Sequence, residues 1–292
     1  MTRFLIGIWL LLGVGIILLF AGPMRAWSRT TDTSALLSRA YAQQMVAQGL
    51  QQAAALANID AVEARVAQRR DSTPQTIARA QQATAREDEA YRAAQEAWAK
   101  VASQLDETLA SMGESDSIAA KNIRWLRDRA TIGSGGISSG VNSLEEMLGE
   151  LKSDSQDTLL LRLRVREELA SAYYYGARLM RLSGRPEEEW RLVSDRARQN
   201  ARVLAESAEP AMKHITAGPD YQKNLEVMLD FELRSLQELQ DAPAPANSPS
   251  LYGGKTKLDG WPWNQQGKGR TEGLPNDSRG AGSKEAVQGG GS

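Results

Sequence analysis

Cysteine is absent from all 292 residues of the chain, and histidine occurs once, at His214. Without thiols, the chain can form neither disulfides nor cysteine-ligated metal clusters. A single imidazole also excludes a zinc site built from several histidines. We therefore expect no metal, no cofactor and no catalytic residue, and we predict that the protein is not an enzyme.

An excess of charge of one sign is lacking as well. The chain has 35 lysines and arginines against 36 aspartates and glutamates, so no overall field attracts nucleic acid, and none is expected as a partner. Gly254-Lys255-Thr256 matches the end of a phosphate-binding loop, but Pro249 occupies the position where that loop requires its first glycine. The carboxylates of Glu187–Glu189 are interpreted as favourable charge at a helix N-terminus. Paired carboxylates in a cleft nevertheless leave an envelope hydrolase as an open alternative.

Long hydrophobic runs are missing with one exception, residues 4–24, which follow a short leader at residues 1–3. This run has about the 20 residues that a membrane-spanning helix needs, whereas a cleaved signal has an apolar core of about 7–15 residues. The sequence therefore predicts an uncleaved signal-anchor that crosses the membrane once. A removed signal sequence is the alternative.

The sequence indicates less directly on which side of the membrane the main domain lies, because Arg3 flanks one end of the run while Arg25 and Arg29 flank the other. A very short leader is typical of proteins whose main domain is exported, and the absence of cysteine suits an oxidising compartment. We predict a bacterial inner-membrane protein whose main domain lies in the periplasm.

The rest of the chain has the pattern of an all-α protein. From Ser34 to Gln240 apolar residues recur at steps of three and four, and alternating strand patterns are short. Thr73-Pro74 has the form of a helix start and Gly113 that of a helix end. Trp98, Trp125 and Trp190 lie on apolar stripes and are expected to be buried.

Composition divides this helical region. The glycines between Gly133 and Gly140 predict a flexible loop that separates an N-terminal helical part, 34–132, from a C-terminal helical part, 141–240. The expected fold is an antiparallel helical bundle or a short helical array. Residues 241–292 are too poor in apolar side chains to fold and are predicted to be a disordered tail.

Residues 161–207 form a predicted hairpin that meets at Gly184-Arg185-Pro186. Small residues lie where the helices approach each other, with large ones beside them: Ala172, Gly176, Ala177, Tyr173, Trp190 and Leu204. The hairpin resembles a degenerate tetratricopeptide-type unit, although Pro186 and Glu189 depart from that family's pattern. The resemblance implies a concave surface that holds a partner peptide or helix.

Aromatic residues mark two candidate partner-binding places. Three consecutive helical residues point about 100° apart, so Tyr173, Tyr174 and Tyr175 cannot all enter a core, which leaves Tyr174 and Tyr175 for an interface. In the tail, Tyr252, Trp261 and Trp263 suggest a short docking motif.

Together these features predict a membrane-anchored helical scaffold or adaptor that assembles other envelope proteins. An oligomeric coiled-coil stalk, formed by pairing of residues 34–112 between subunits, is the second alternative, and the oligomeric state stays open.

Overall fold

The computed structural model describes residues 27–113, 115–152, 155–211 and 221–245. The prediction of an all-α fold is confirmed, because these ranges contain eight α-helices and none of their residues forms a strand. In chain order the helices are α1 (Trp27–Arg70), α2 (Pro74–Met112), α3 (Ile118–Gly133), α4 (Ile137–Glu150), α5 (Gln156–Leu182), α6 (Glu187–Ala211), α7 (Tyr221–Leu233) and α8 (Leu236–Asp241).

The predicted leader and anchor, residues 1–24, lie outside the described ranges. Within those ranges, none of the helices combines the length and the hydropathy that crossing a bilayer requires.

Helices α1 and α2 form one long hairpin of 44 and 39 residues. As predicted, α2 begins at Pro74: the side chain of Thr73 accepts a hydrogen bond from the Thr76 N–H, and Thr76 reciprocates in a capping box. Gly113 follows the last residue of α2 with φ of 69°, a conformation that glycine adopts without strain.

The two helices meet along a seam in which buried alanines of α1 recur every seven residues. Of the two helices, α2 supplies the larger buried residues of the cores along this seam, and it also contributes Ala94 and Ala97. The alanines are Ala40, Ala47, Ala54 and Ala61, and the residues of α2 are Tyr91, Trp98, Val101 and Leu105. A seven-residue repeat keeps one face of a helix turned toward its partner. We call this set the inner seam. Its small side chains on α1 leave the room that the rings of α2 occupy.

One polar layer interrupts the inner seam. Glu87 of α2 is completely buried and accepts hydrogen bonds from the Asn58 amide and, at 2.8 Å, from Arg65 Nη1. A buried carboxylate is tolerated only when it is paired and hydrogen-bonded, so this layer favours the one alignment of α1 and α2 that brings the three side chains together.

Glycines allow α3 to pack closely on its neighbours. A Cβ atom at Gly133 would lie 2.9 Å from the Trp98 ring, and one at Gly140 would lie 2.5 Å from Ile132 Cγ1. The predicted flexible loop over 133–140 is therefore wrong in extent. Only residues 134–136 connect α3 to α4, and Gly133 and Gly140 are both helical.

A second core lies among α4, α5, α6 and α7. Trp190 and Phe231 meet edge to face in it, with ring centroids 5.7 Å apart. Burial of Trp98 and Trp190 is confirmed, whereas Trp125 is only partly buried.

The predicted hairpin over 161–207 is present as α5 and α6. With 27 and 25 residues, these two helices together are longer than a tetratricopeptide repeat of about 34 residues.

Two arginines of α5 hold the ends of the last two helices. Arg181 donates to the carbonyl oxygens of Phe231 and Arg234 at the end of α7, and Arg178 donates to Leu239 O at 3.1 Å and Ala242 O at 3.0 Å around the end of α8. The last carbonyls of a helix lack partners within the helix and carry its negative dipole end, so a guanidinium satisfies both requirements.

Residues 236–245, which we call the strap, then cross to the hairpin. Asp241 forms an ion pair with Arg69, and the Ala244 N–H donates to Asn58 Oδ1 at 2.7 Å. The first residues of the predicted disordered tail are therefore packed against α1, with Asp241 itself in α8. Residues 246–292 lie outside the described ranges.

Asp128 provides a test of the packing between α3 and α4. Burial raises its pKa to about 6, although Arg127 and a 2.8 Å hydrogen bond from the Ser143 hydroxyl oppose the rise. Between about pH 4 and 6 the folded chain retains a proton that the unfolded chain has lost, so stability falls as the pH rises through this interval. The loss is about 3 kcal/mol. We expect Asp128→Asn to remove this part of the pH dependence.

The measurement is the free energy of urea unfolding at pH 4, 5, 6 and 7 for both chains. A wild-type-minus-variant difference that stays constant over this interval would contradict the assignment.

Two glycines of α4 provide a matched pair for the close approach to α3. Gly140→Ala places a methyl group against Ile132 and the Asp128 carbonyl and should destabilise the fold by about 1–3 kcal/mol. Gly149→Ala meets nothing within 4 Å and should stabilise the helix by up to about 1 kcal/mol. Thermal unfolding compares them directly, and equal shifts would show that the two helices do not touch there.

Candidate protein-interaction surface

The three consecutive tyrosines of α5 have three different surroundings. Tyr173 is fully buried, donates its hydroxyl hydrogen to the Glu145 carboxylate and accepts a hydrogen bond from Arg196 Nη1 at 3.1 Å. Burial and the neighbouring carboxylate raise the pKa of Tyr173 above its ordinary value. The Tyr173 hydroxyl therefore links α5 to α4 and α6, and its role is structural.

Tyr174 lies at a helix–helix contact. It is partly buried, and its ring meets Phe231 of α7 edge to face with centroids 5.5 Å apart. A similar contact joins it to Tyr175, at 6.0 Å. Much of the Tyr174 surface is thus used to hold α7 against α5.

Tyr175 faces another direction, toward α3. It is partly buried and forms a hydrogen bond with Ser171, and its pKa is raised by burial and by the Glu168 carboxylate nearby. Glu168 in turn forms an ion pair with Arg129 of α3, at 3.6 Å. Tyr175 therefore belongs to a mixed aromatic and charged group that lies across α3 and α5.

Trp125 of α3 is the centre of this group. The Arg164 guanidinium of α5 lies 5.6 Å from the centroid of the Trp125 ring, and that of Arg129 lies 6.0 Å from it. Both distances are within the range of cation–π attraction. Arg164 also donates to Asn122 Oδ1 at 3.3 Å. We call Trp125, Arg129, Arg164, Glu168 and Tyr175 the Trp125 patch.

The patch has the composition of a protein-binding surface. Tryptophan, tyrosine and arginine dominate the energetics of protein interfaces because they combine large apolar area with hydrogen-bonding capacity. Arg164 is exposed, while Trp125 and Tyr175 are partly so. The indole N–H of Trp125 is itself buried and has no hydrogen-bond acceptor among the described residues, so the exposed part of this side chain is its apolar ring surface.

Sequence reasoning included Tyr175 in an interface but assigned Trp125 to the core. The available signal was the position of Trp125 four residues before Arg129 on one helix face, which places a cation beside the ring. Its proximity to Arg164 depends on how α3 packs on α5 and has no local signature.

The acidic groups considered for catalysis are engaged elsewhere in the fold. Glu187 pairs with Arg191 at 2.6 Å, and Glu189 pairs with Arg185 at 3.8 Å. Glu187–Glu189 occupy the first turn of α6, as predicted. Across the described residues, no three acidic or imidazole side chains are grouped to hold a metal ion.

Four residues singled out from the sequence lie outside the described ranges: His214, Tyr252, Trp261 and Trp263. The role of Tyr252, Trp261 and Trp263 in partner binding stays a prediction.

Comparisons of the chain with protein-family models, with curated proteins and with solved structures find no match.

Proposed function

We propose that the protein is a membrane-anchored helical adaptor of the bacterial envelope, which binds another envelope protein through the Trp125 patch. The observation that carries the proposal is the approach of Arg164 of α5 and Arg129 of α3 to the ring of the partly exposed Trp125. A helix face that contacts only solvent would not require a tryptophan ring with two guanidinium groups close to it. Residues 4–24 would hold this surface beside the membrane, with the helical body in the periplasm.

The packing of α1 on α2 within one chain favours the adaptor over the coiled-coil stalk. The inner faces of α1 and α2 pack on each other within one chain, so they are not available to pair between subunits in the extended manner of a stalk. The hydrolase is disfavoured because Glu187 and Glu189 form ion pairs with neighbouring arginines. The aromatic residues of the tail, Tyr252, Trp261 and Trp263, are proposed as a second docking element.

The patch is tested by partner recovery from native membranes. Trp125→Ala combined with Arg164→Ala should reduce recovery of co-purifying envelope proteins at least tenfold, because loss of two hot-spot side chains costs about 2 kcal/mol or more each. The matched control is Arg191→Ala, which removes another arginine that stacks on a tryptophan, with its guanidinium 5.3 Å from the Trp190 ring.

Circular dichroism of each variant checks that the helical body is retained. Equal recovery by the double variant and the control would remove the patch from the proposal.

The anchor is tested separately. We expect the mature chain to keep its N-terminus and to stay with membranes after carbonate extraction, because a 21-residue uncharged run is long enough to span the bilayer. N-terminal sequencing is the measurement. A mature chain that begins after residue 22 would show instead that the run is a removed signal.

A further inference from the structure

The outer face of α1 has no charge over five turns. Every residue from Ala40 to Ile59 is uncharged, yet this part of the helix exposes large apolar side chains. Met45 is 69% exposed, Leu56 is 65% exposed and Val46 is 54% exposed. The outer face of α2, in the same hairpin, exposes charged residues instead: Arg79, Arg86, Glu89, Arg92, Glu96 and Lys100. Solvent contact alone does not account for this difference between two neighbouring helices.

The exposed residues of α1 follow the spacing of a second helix-packing seam. Alternate steps of three and four connect six exposed residues, which we call the outer seam: Ala42, Met45, Gly49, Gln52, Leu56 and Ile59. This is the repeat by which one helix packs lengthwise on another. A Cβ atom at Gly49 would meet no atom of the described residues within 4 Å, so among these residues nothing blocks the approach of a second helix to the middle of the outer seam.

We propose that the outer seam pairs with the outer seam of a second copy of the chain, as a short parallel coiled coil. In a parallel pair related by a two-fold axis each seam residue meets its own equivalent. Gln52 then lies opposite Gln52, and each amide can donate to and accept from the other. Met45, Leu56 and Ile59 form apolar layers on either side, and Gly49 lets the two helices approach closely.

The glutamine decides the orientation. An antiparallel pair that matches the two seams places Gln52 opposite Gly49, which leaves its amide without a partner at the centre of the contact. Unsatisfied amides in a buried contact are costly. A polar residue at one seam position is the feature that selects register and orientation in coiled coils, as the amide layer does here.

The length of the outer seam limits the strength of the dimer. Its span from residue 42 to residue 59 is about 26 Å at 1.5 Å per residue. Stable interfaces use about 20–30 residues from each side, and the outer seam supplies fewer. Beyond Ile59 it reaches the exposed Glu63, where like charges oppose pairing. The expected dimer is therefore weak and is favoured by salt.

A parallel pair also places the first residues of both α1 helices at the same end. If the anchor of the proposed function is correct, both copies insert into one membrane, and this shared tether raises the local concentration of one seam near the other. This strengthening depends on the proposed function, whereas the pairing itself does not.

The absence of native cysteine makes the test direct. Met45→Cys and Leu56→Cys are prepared as separate full-length chains and oxidised at several protein concentrations, both in detergent and after reconstitution into lipid vesicles. Each variant should form a disulfide-linked dimer with itself. An equimolar mixture should give few linked chains that contain one Met45→Cys and one Leu56→Cys, because these positions are about 16 Å apart along the helix.

Glu89→Cys, on the charged outer face of α2, is the matched control and should crosslink at least tenfold more slowly. Efficient linking only in the mixture would replace the parallel pair by an antiparallel one. Equal linking by Glu89→Cys, or none by either seam variant, would overturn the pairing altogether.

A second measurement does not require crosslinking. Met45→Glu combined with Leu56→Glu should weaken dimerisation of the full chain at least tenfold in analytical ultracentrifugation. The melting temperature of the helical body should be almost unchanged, because both side chains are exposed. A variant that dimerises as well as the wild type would contradict the proposal. Failure of the anchor would remove only the enhancement in vesicles, and failure of the Trp125 patch would alter neither measurement.

Discussion

A carboxylate that is completely buried between two helices constrains everything around it. Glu87 of the inner seam accepts hydrogen bonds from Asn58 and Arg65 of α1, and these donors face it in one register of the hairpin. The Oδ1 atom of Asn58 in turn accepts a hydrogen bond from the Ala244 N–H of the strap, far along the chain. A single buried carboxylate thus connects the alignment of α1 and α2 to the position of the last described residues.

The strap is also held by an arginine of α5. Arg178 is nearly buried and holds two carbonyl oxygens near the end of α8, while Arg181 does the same for α7. Arg181 also lies 4.7 Å from the centroid of the Trp190 ring, so its charge is compensated by carbonyl dipoles and by an aromatic face. Arg178 and Arg181 therefore connect α5 to the last two helices rather than forming a solvated helix face.

Local sequence rules predicted the features that depend on neighbouring residues. The start of α2 at Pro74, the glycine after its last turn and the acidic first turn of α6 all follow from capping and dipole preferences. Burial of Trp98 and Trp190 followed from apolar periodicity. The inner seam was harder to find, because α1 contributes alanines to it, which a search for large apolar residues does not detect.

The remaining features depend on contacts between distant parts of the chain. The glycines at 133 and 140 were interpreted as flexibility, whereas the packed helices need them because a methyl group would collide with Trp98 or Ile132. Trp125 lies on an apolar stripe like the other tryptophans, yet only the packing of α3 on α5 decides that it borders the surface. The strap joins residues 186 positions apart, a separation at which local patterns carry no information.

The contact between the strap and α1 also fixes where the described part of the chain ends on the helical body. Ala244 lies beside Asn58, and 31 residues of α1 separate Asn58 from Trp27, a distance of about 46 Å along the helix axis. The described chain therefore ends nearer the loop that joins α1 to α2 than the end where α1 begins. A docking motif in residues 246–292 would be joined to the helical body at that position.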